Sequence, residues 1–301
     1  MQLGIIGMGR MGLPLALNGR DKGVDIVVFT EKEEKRKQLA QESVTAHGDL
    51  ESFVAALTPP RAVWLMIPAG EPVDSMIAQL RPLLSEGDII IDGGNSRYQD
   101  SQRRGKALGE DNIHFLDVGT SGGTEGARNG ACLMIGGDKH VYELLQPVFE
   151  ALSGGMGCGW MGESGAGHYV KMIHNGIEYG MMQAIAEGLE ILRHGPMHFQ
   201  LDKVASVWQR GSIVSGLLMD MTAQALAKEP DLDSIEGIVA ASGEANWTVE
   251  EAVRQKVAAP VIATALFNRF KSQDTEKYAE KSLAAMRREF GDHPVVKKNK
   301  E

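Results

Sequence analysis

QLGIIGMGRMG, residues 2–12, decides how the first half of the chain is read. An apolar run of strand character meets three glycines, Gly7, Gly9 and Gly12, and a helical pattern, MGLPLALNGRDKG, follows at once. Each glycine answers a physical need of a phosphate-binding turn. Gly7 permits the tight bend, Gly9 lets the backbone approach a pyrophosphate, and Gly12 lets the helix pack close to the strand. The helix N-terminus adds backbone donors and the positive end of its dipole. The glycines do not stand alone. Glu31, roughly 20 residues beyond Gly12 at the end of DIVVFTE, offers a carboxylate that accepts from ribose hydroxyls and repels a 2′-phosphate. NAD is therefore the expected cofactor. Lys32, Lys35 and Arg36 keep NADP open, since one of them could reach a phosphate.

Outward from this turn, residues 1–160 alternate strand-like runs with helical patterns. The runs are LGIIG, DIVVF, AVWLMI, DIIID, IHFLDV, CLMIG and GMGCGWM; DKHVYELLQPVFEAL is one of the helical stretches between them. Strands separated by helices of this length imply βαβ units and a mainly parallel, doubly wound sheet. From about Glu163 the strand runs stop and helical patterns take over. The expected fold class is α/β: an N-terminal Rossmann-like doubly wound sheet over residues 1–162, followed by an all-helical C-terminal domain over 163–301 for substrate and oligomerisation. No low-complexity linker separates the halves, so a long helix around Lys171 is expected to join them. No internal repeat of fixed period is present.

A net charge of −9 argues against a nucleic-acid or anionic-membrane surface, so an anionic ligand would need local cations. No segment resembles a membrane span. Cys132 and Cys158 form no CxxC or Cys/His cluster, and are expected to be small buried fillers in a reducing compartment, with no metal site. The start, MQLGIIGMGR, runs straight into a strand, giving the expectation of no export signal and a cytoplasmic protein. EKEEKRKQ alternates in sign like a solvated helix face, and KKNKE suits a frayed tail.

GHYVKMIHNGIEYG, residues 167–180, is less ordinary. Lys171, His174, Asn175 and Glu178 fall within roughly a 100° arc of one helix. Val170, Ile173, Ile177, Met181 and Ala184 form a neighbouring apolar stripe that marks the helix as core-like. A buried face carrying a base and an acid must be paired, hydrated or functional. A lysine–glutamate strut is the structural alternative, but it explains neither His174 nor Asn175. Desolvation lowers the pKa of a buried amine, so Lys171 is expected to start as a neutral base, and a carboxyl in the same pocket to hold its proton. Two glycine-rich breaks follow strands: DGGNSRY, with Asn95, and GTSGGTEGAR, with Ser121, Gly122 and Gly123. Either could be an ordinary turn. Their place at strand ends beside a dinucleotide fingerprint favours substrate, and the second offers a hydroxyl and backbone donors to a carboxylate or phosphate.

GMGRMG, DGGNSRY, GTSGGTEGAR and GAGHYVKMIHNGIEYG together resemble the decarboxylating 6-phosphogluconate dehydrogenases, and NWT, ATALFNRF and RREFGDH extend the similarity. The chain looks like the short branch of that family, with a reduced helical domain. Related β-hydroxyacid dehydrogenases share the Ser-Gly-Gly loop, a lysine and an asparagine, but usually not HNGIEY. The resemblance implies oxidative decarboxylation of 6-phosphogluconate to ribulose 5-phosphate and CO2, a pentose phosphate pathway step, with NAD reduced. It makes Lys171 the general base at the C3 hydroxyl and Glu178 the acid that protonates C1 of the enediol. His174 and Asn175 would hold substrate hydroxyls and carboxylate, beside Asn95, Ser121, Gly122 and Gly123. Phosphate contacts carry over to Tyr179, Thr248, Arg269 and Arg287.

By the same resemblance the cofactor site comprises Gly7, Met8, Gly9, Arg10, Met11 and Gly12, with Thr30 and Glu31, Ile67 and Pro68, and Asn95. Arg287 and His293, in MRREFGDH, would come from a neighbouring subunit of a homodimer or homotetramer. Read blandly, MRREFGDH is a helix end whose arginines offset the dipole and whose Gly291 terminates it. Two departures stand out: Asn246 replaces a lysine of long-chain relatives, and Glu31 replaces an arginine of NADP-using ones. A dehydrogenase or reductase of a smaller β-hydroxy acid, and a dinucleotide-binding module without turnover, are the alternatives.

Overall fold

The computed structural model describes residues 2–155, 157–241 and 243–297. Most of the KKNKE tail and Met156 of GMGCGWM lie outside them. The chain divides into two compact units, Met1–Ile177 and Glu178–Glu301.

The first unit holds an eight-stranded sheet. Its strands are β1 (Gln2–Ile6), β2 (Asp25–Phe29), β3 (Thr45–His47), β4 (Ala62–Leu65), β5 (Ile89–Asp92), β6 (His114–Ser121), β7 (Cys132–Gly137) and β8 (Cys158–Gly162). The connecting helices are α1 (Gly12–Asp21), α2 (Glu33–Gln41), α3 (Leu50–Ala55), α4 (Glu71–Leu80), α5 (Tyr98–Gly109), α6 (Gly123–Asn129) and α7 (Lys139–Ser153). The spatial order β3-β2-β1-β4-β5-β6-β7-β8 runs outward from β1 and then returns past it, the doubly wound arrangement. All pairs are parallel except β6 with β7.

The sheet is buried on both faces, which is why its strands read as near-continuous apolar runs. Successive residues feed opposite cores. Ile89 and Ile91 join Leu3, Ile5, Trp64 and Phe149 on one side, while Ile90 joins Ile6, Phe53, Val63 and Leu65 on the other. Strand β3, three partly exposed residues at the sheet edge, escaped the sequence reading because it is too short and polar to show a period.

Helix α8 (Ala166–Arg193) crosses the division between the units. The second unit continues with α9 (Leu201–Trp208), α10 (Leu217–Lys228), α11 (Gly243–Gln255), α12 (Pro260–Gln273) and α13 (Tyr278–Gly291). Its buried clusters are small: Tyr179 with Ala245, Ala265 and Leu266, and Ala205 with Met219, Ala223 and Leu226.

Three expectations need correction. The apolar stripe of α8 is not its core face: Ile177 and Met181 are 52% and 53% exposed, whereas Lys171 and Asn175 are 6% and 7% exposed. The cysteines are not buried fillers either, since Cys132 opens β7 facing outward and is exposed, and Cys158 is half-buried on an edge strand. At the end of α13 the left-handed residue is Asp292, with φ +48°, and Gly291 is still helical.

The ring of Phe149 packs edge-on to Trp64 and stacks on Tyr142, with centroids at 6.1 and 5.9 Å. Phe149→Ala should destabilise the first unit by about 3–5 kcal/mol through the cavity it leaves, read as a lowered denaturant midpoint.

Candidate active site

Loops after β1, β4 and β5 meet at the carboxyl ends of the strands, where the winding reverses. Gly7 has φ +104°, and a Cβ there would overlap the Met66 carbonyl oxygen and lie 2.8 Å from Ile67 Cγ2. A Cβ on Gly94 would lie 2.8 Å from Ile67 O. Gly7, Ile67 and the Gly94–Asn95 segment therefore border one crevice. Gly12, the first residue of α1, packs so close that a Cβ would overlap Gly7 O, whereas the Cβ position of Gly9 faces open space. Among the described residues no side chain caps α1. A backbone cradle open on one side, ahead of an uncapped helix N-terminus, fits a pyrophosphate. Met8 and Met11 are half-buried around it, and Arg10, Pro68 and Asn95 are exposed.

At the end of β2, Thr30 is half-buried and Glu31 exposed. Arg36 Nη1 donates to the Thr30 and Glu31 carbonyls at 2.8 and 2.7 Å, and Lys35 Nζ donates to Gln38 at 3.2 Å. Arg36 is thus held against the backbone at the end of β2, beside Glu31, while Lys35 turns to Gln38.

The Asn95 loop is braced from beneath. Asp92, fully buried, accepts from Ser96 Oγ at 2.7 Å and from Arg104 Nη1 at 3.1 Å. Arg104, 2% exposed on α5, also donates to Asp74 and to Gly70 O. Nothing in SQRRGK marked this arginine as buried, because its partners lie on other elements.

Strand β6 and the first turns of α8 bring four polar groups together. Lys171 Nζ donates to Asn175 Oδ1 at 2.7 Å, and His174 Nδ1 lies 2.8 Å from the same oxygen. Because Oδ1 only accepts, His174 donates from Nδ1, and its Nε2 lies 3.2 Å from Ser121 Oγ. Ser121 ends β6, and Gly122 and Gly123 follow with φ +109° and +63°, a bend that side chains resist. Glu178 lies one turn beyond His174 on the same helix and is half-buried.

A second cluster forms within the 178–301 unit. Arg269 on α12 lies over the Tyr179 ring, 3.4 Å from its centroid, and donates to Ala240 O at 3.1 Å. Thr248 is buried one turn past Ala245 of the same small core, and its Oγ1 donates to Glu244 O at 3.0 Å. A guanidinium stacked on a ring is held in a plane, ready to meet an oxyanion through its edge. Asn246 Oδ1 is buried without a hydrogen-bond partner among the described residues. Arg287 and His293 are not drawn into the cluster. Both are exposed, and α13 buries none of its residues.

Among the described residues no group of His, Cys, Asp and Glu is placed to hold a metal ion, and no helix is long and apolar enough to cross a membrane. A doubly wound sheet with a pyrophosphate cradle, and a helix delivering an amine, an amide and an imidazole to the end of one strand, define a dinucleotide-dependent oxidoreductase. Comparison with known proteins narrows the class. Residues 2–162 match the family described as the NAD binding domain of 6-phosphogluconate dehydrogenase, and residues 167–301 match the 6-phosphogluconate dehydrogenase C-terminal domain. The chain belongs to the 6-phosphogluconate dehydrogenase family.

It is 44% identical to YqeC of Bacillus subtilis (strain 168) over 99% of this chain and 100% of that protein. It is 38% identical to an NAD(+)-dependent, decarboxylating 6-phosphogluconate dehydrogenase of Haloferax volcanii, over 99% and 100%. The 6-phosphogluconate dehydrogenase of Plasmodium falciparum, solved with its cofactor NADP+ and with its substrate, superposes with a TM-score of 0.84 at 35% identity. That match covers all of this chain and 67% of the other. Relatives at similar identity thus differ in cofactor, and the residues at the end of β2 must decide it here.

Proposed function

We propose that the protein oxidises and decarboxylates 6-phosphogluconate with NAD, releasing ribulose 5-phosphate and CO2. The observation that carries the proposal is the buried Lys171 amine, held 2.7 Å from Asn175 Oδ1 beside His174 and Ser121. NAD, when bound in the glycine cradle, supplies a hydride acceptor. Lys171 takes the proton of the C3 hydroxyl as the C3–H bond gives up its electron pair. The resulting β-keto acid loses its carboxylate as CO2, and the bonding pair moves into the enolate. Lys171 returns its proton to that oxygen, forming an enediol. Glu178 then protonates the carbon that becomes C1, and Lys171 takes back the hydroxyl proton as the ketone forms. His174 and Asn175 orient the hydroxyls and carboxylate, with Asn95 and the Ser121–Gly123 bend alongside.

Arg269 on the Tyr179 ring, with Thr248, is assigned to the phosphate. A smaller β-hydroxy acid would leave that arginine without an anion to meet. For the cofactor, the exposed Glu31 carboxylate, which accepts from ribose hydroxyls and repels a 2′-phosphate, favours NAD over NADP.

The working form is a homo-oligomer, a dimer or a tetramer. Support comes from the apolar surface that the chain leaves uncovered: Ile177, Met181 and Ile191 on α8, and Tyr278, Leu283, Met286 and Phe290 on α13. Apolar area on this scale calls for a partner, and a second copy is the simplest one. Arg287 and His293 would then serve the phosphate site of that copy. The helical half from residue 163 is accordingly the substrate and oligomerisation domain, and the reducing cytoplasm is the setting assigned to the two free thiols.

Lys171→Met should abolish oxidation and decarboxylation together, leaving less than about a hundredth of the wild-type kcat, as expected for loss of a general base. Glu178→Gln should spare hydride transfer more than the final protonation. Cofactor choice is checked by kcat/KM for NAD and NADP: the wild type should favour NAD, and Glu31→Arg with Thr30→Asn should shift the ratio toward NADP. A shared site is checked by co-folding Lys171→Met with Arg287→Ala. Mixed oligomers should regain activity, because a site with native Lys171 can receive a native Arg287. Confirmed mixed oligomers without recovery would place Arg287 in its own chain's site.

A further inference from the structure

Strand β6 presents three alternate residues to α8, each of which meets it at a different level. Ser121 lies 3.2 Å from His174. Gly119 faces Lys171, whose Cβ would be overlapped by any side chain at that position. Asp117 comes first, is fully buried, and reaches the start of the helix: Oδ1 accepts from Gly165 N at 2.6 Å and Oδ2 from His168 N at 2.8 Å. Burying a carboxylate in the middle of an apolar strand is costly, and packing gives no reason for it. No ammonium or guanidinium pairs with it among the described residues. The nearest basic group is His168 Nδ1 at 4.0 Å, itself hydrogen-bonded to Ser101 Oγ at 2.7 Å. Burial pushes the Asp117 carboxyl up, against the opposing pull of His168 and the two amides.

Helix α8 has no acidic residue in its own first turn. The acceptors that such a terminus needs come instead from the neighbouring strand, with one Asp117 oxygen for each of two backbone donors. We propose that Asp117 is the positioning residue that sets Lys171 against the sheet. By fixing residues 165 and 168 to β6, it fixes the height at which the lysine stem crosses Gly119 and at which His174 meets Ser121. The inference rests on the catalytic role proposed for Lys171.

Asp117→Asn tests it, because the amide keeps one acceptor and turns an NH2 group against the other donor. Two quantities are read: the rate at which acetic anhydride labels Lys171 in the native protein, mapped by mass spectrometry, and kcat against KM with 6-phosphogluconate and NAD. Leu145→Ala, a core cavity on α7, serves as the control for general destabilisation. Asp117→Asn should speed labelling of Lys171 by about tenfold, as for a local opening. It should lower kcat by up to about a hundredfold, the scale of a 1 Å misplacement, with KM for NAD unchanged. Leu145→Ala should change neither. Label rate and kcat that do not move together overturn the assignment, as does equal labelling in the control. If the wild type fails to turn over 6-phosphogluconate, the proposed function falls and the label rate alone decides the role of Asp117. Asp117→Ser, with room for a water at one amide, is the second variant. If neither variant folds, Asp117 supports the fold as a whole and the assignment fails.

Discussion

Helix α8 meets the sheet at backbone distance because three glycines, Gly119, Gly136 and Gly167, bring no side chain to the crossing. A Cβ on Gly167 would overlap the carbonyl oxygens of Asp117 and Met134, and one on Gly136 would lie 2.5 Å from Gly167 N. This contact lets a lysine on the first turns of a helix lie along a strand whose end carries Ser121. Close packing transmits small displacements, so a methyl group at any of the three positions would shift the amine as well as the helix. The crevice at β1, β4 and β5 is built by the same means, with Gly7, Gly12 and Gly94 allowing backbone to approach backbone. In the first unit, then, both the cofactor cradle and the amine cluster are products of missing side chains.

The two units solve burial differently. The sheet closes its own core, with Ile, Leu, Val and Phe side chains packed on both faces. The helical unit buries a handful of residues in two small clusters and leaves large apolar side chains exposed on α8 and α13. Helix α8 shows the contrast within one element. Its amine and amide are buried, while Ile177 and Met181 are open.

Much of this was legible in the sequence, and the physical reasons differ by element. Strands such as β5 announced themselves because a sheet covered on both faces needs unbroken apolar runs. The turn at Gly7–Gly12 was legible because its backbone demands are local. The four polar residues of α8 were legible as one face because helical spacing fixes it. What failed were inferences that equate apolar with buried: the Ile177–Met181 stripe faces out, and Cys132 is exposed at the start of a strand. Asp117 and Arg104 were passed over, and the backbone role of Arg36 was not foreseen, for a further reason. Each draws its meaning from a partner on a distant or irregular segment: backbone amides at the start of α8 for Asp117, Asp92 for Arg104, and the Thr30–Glu31 carbonyls for Arg36. A linear pattern carries no trace of such pairings, and a charged residue in a strand or helix defaults to a surface reading.

The central claim is that the buried Lys171 amine serves a substrate, 6-phosphogluconate, whose oxidation leads to loss of its carboxylate. Measuring NADH and CO2 together, with 6-phosphogluconate labelled at C1, tests it most directly. The account predicts one CO2 released for each NADH formed, with labelled carbon absent from the sugar phosphate product. NADH formed without CO2 would contradict it and mark a simple β-hydroxyacid dehydrogenase, and no NADH at all would contradict the assignment of substrate.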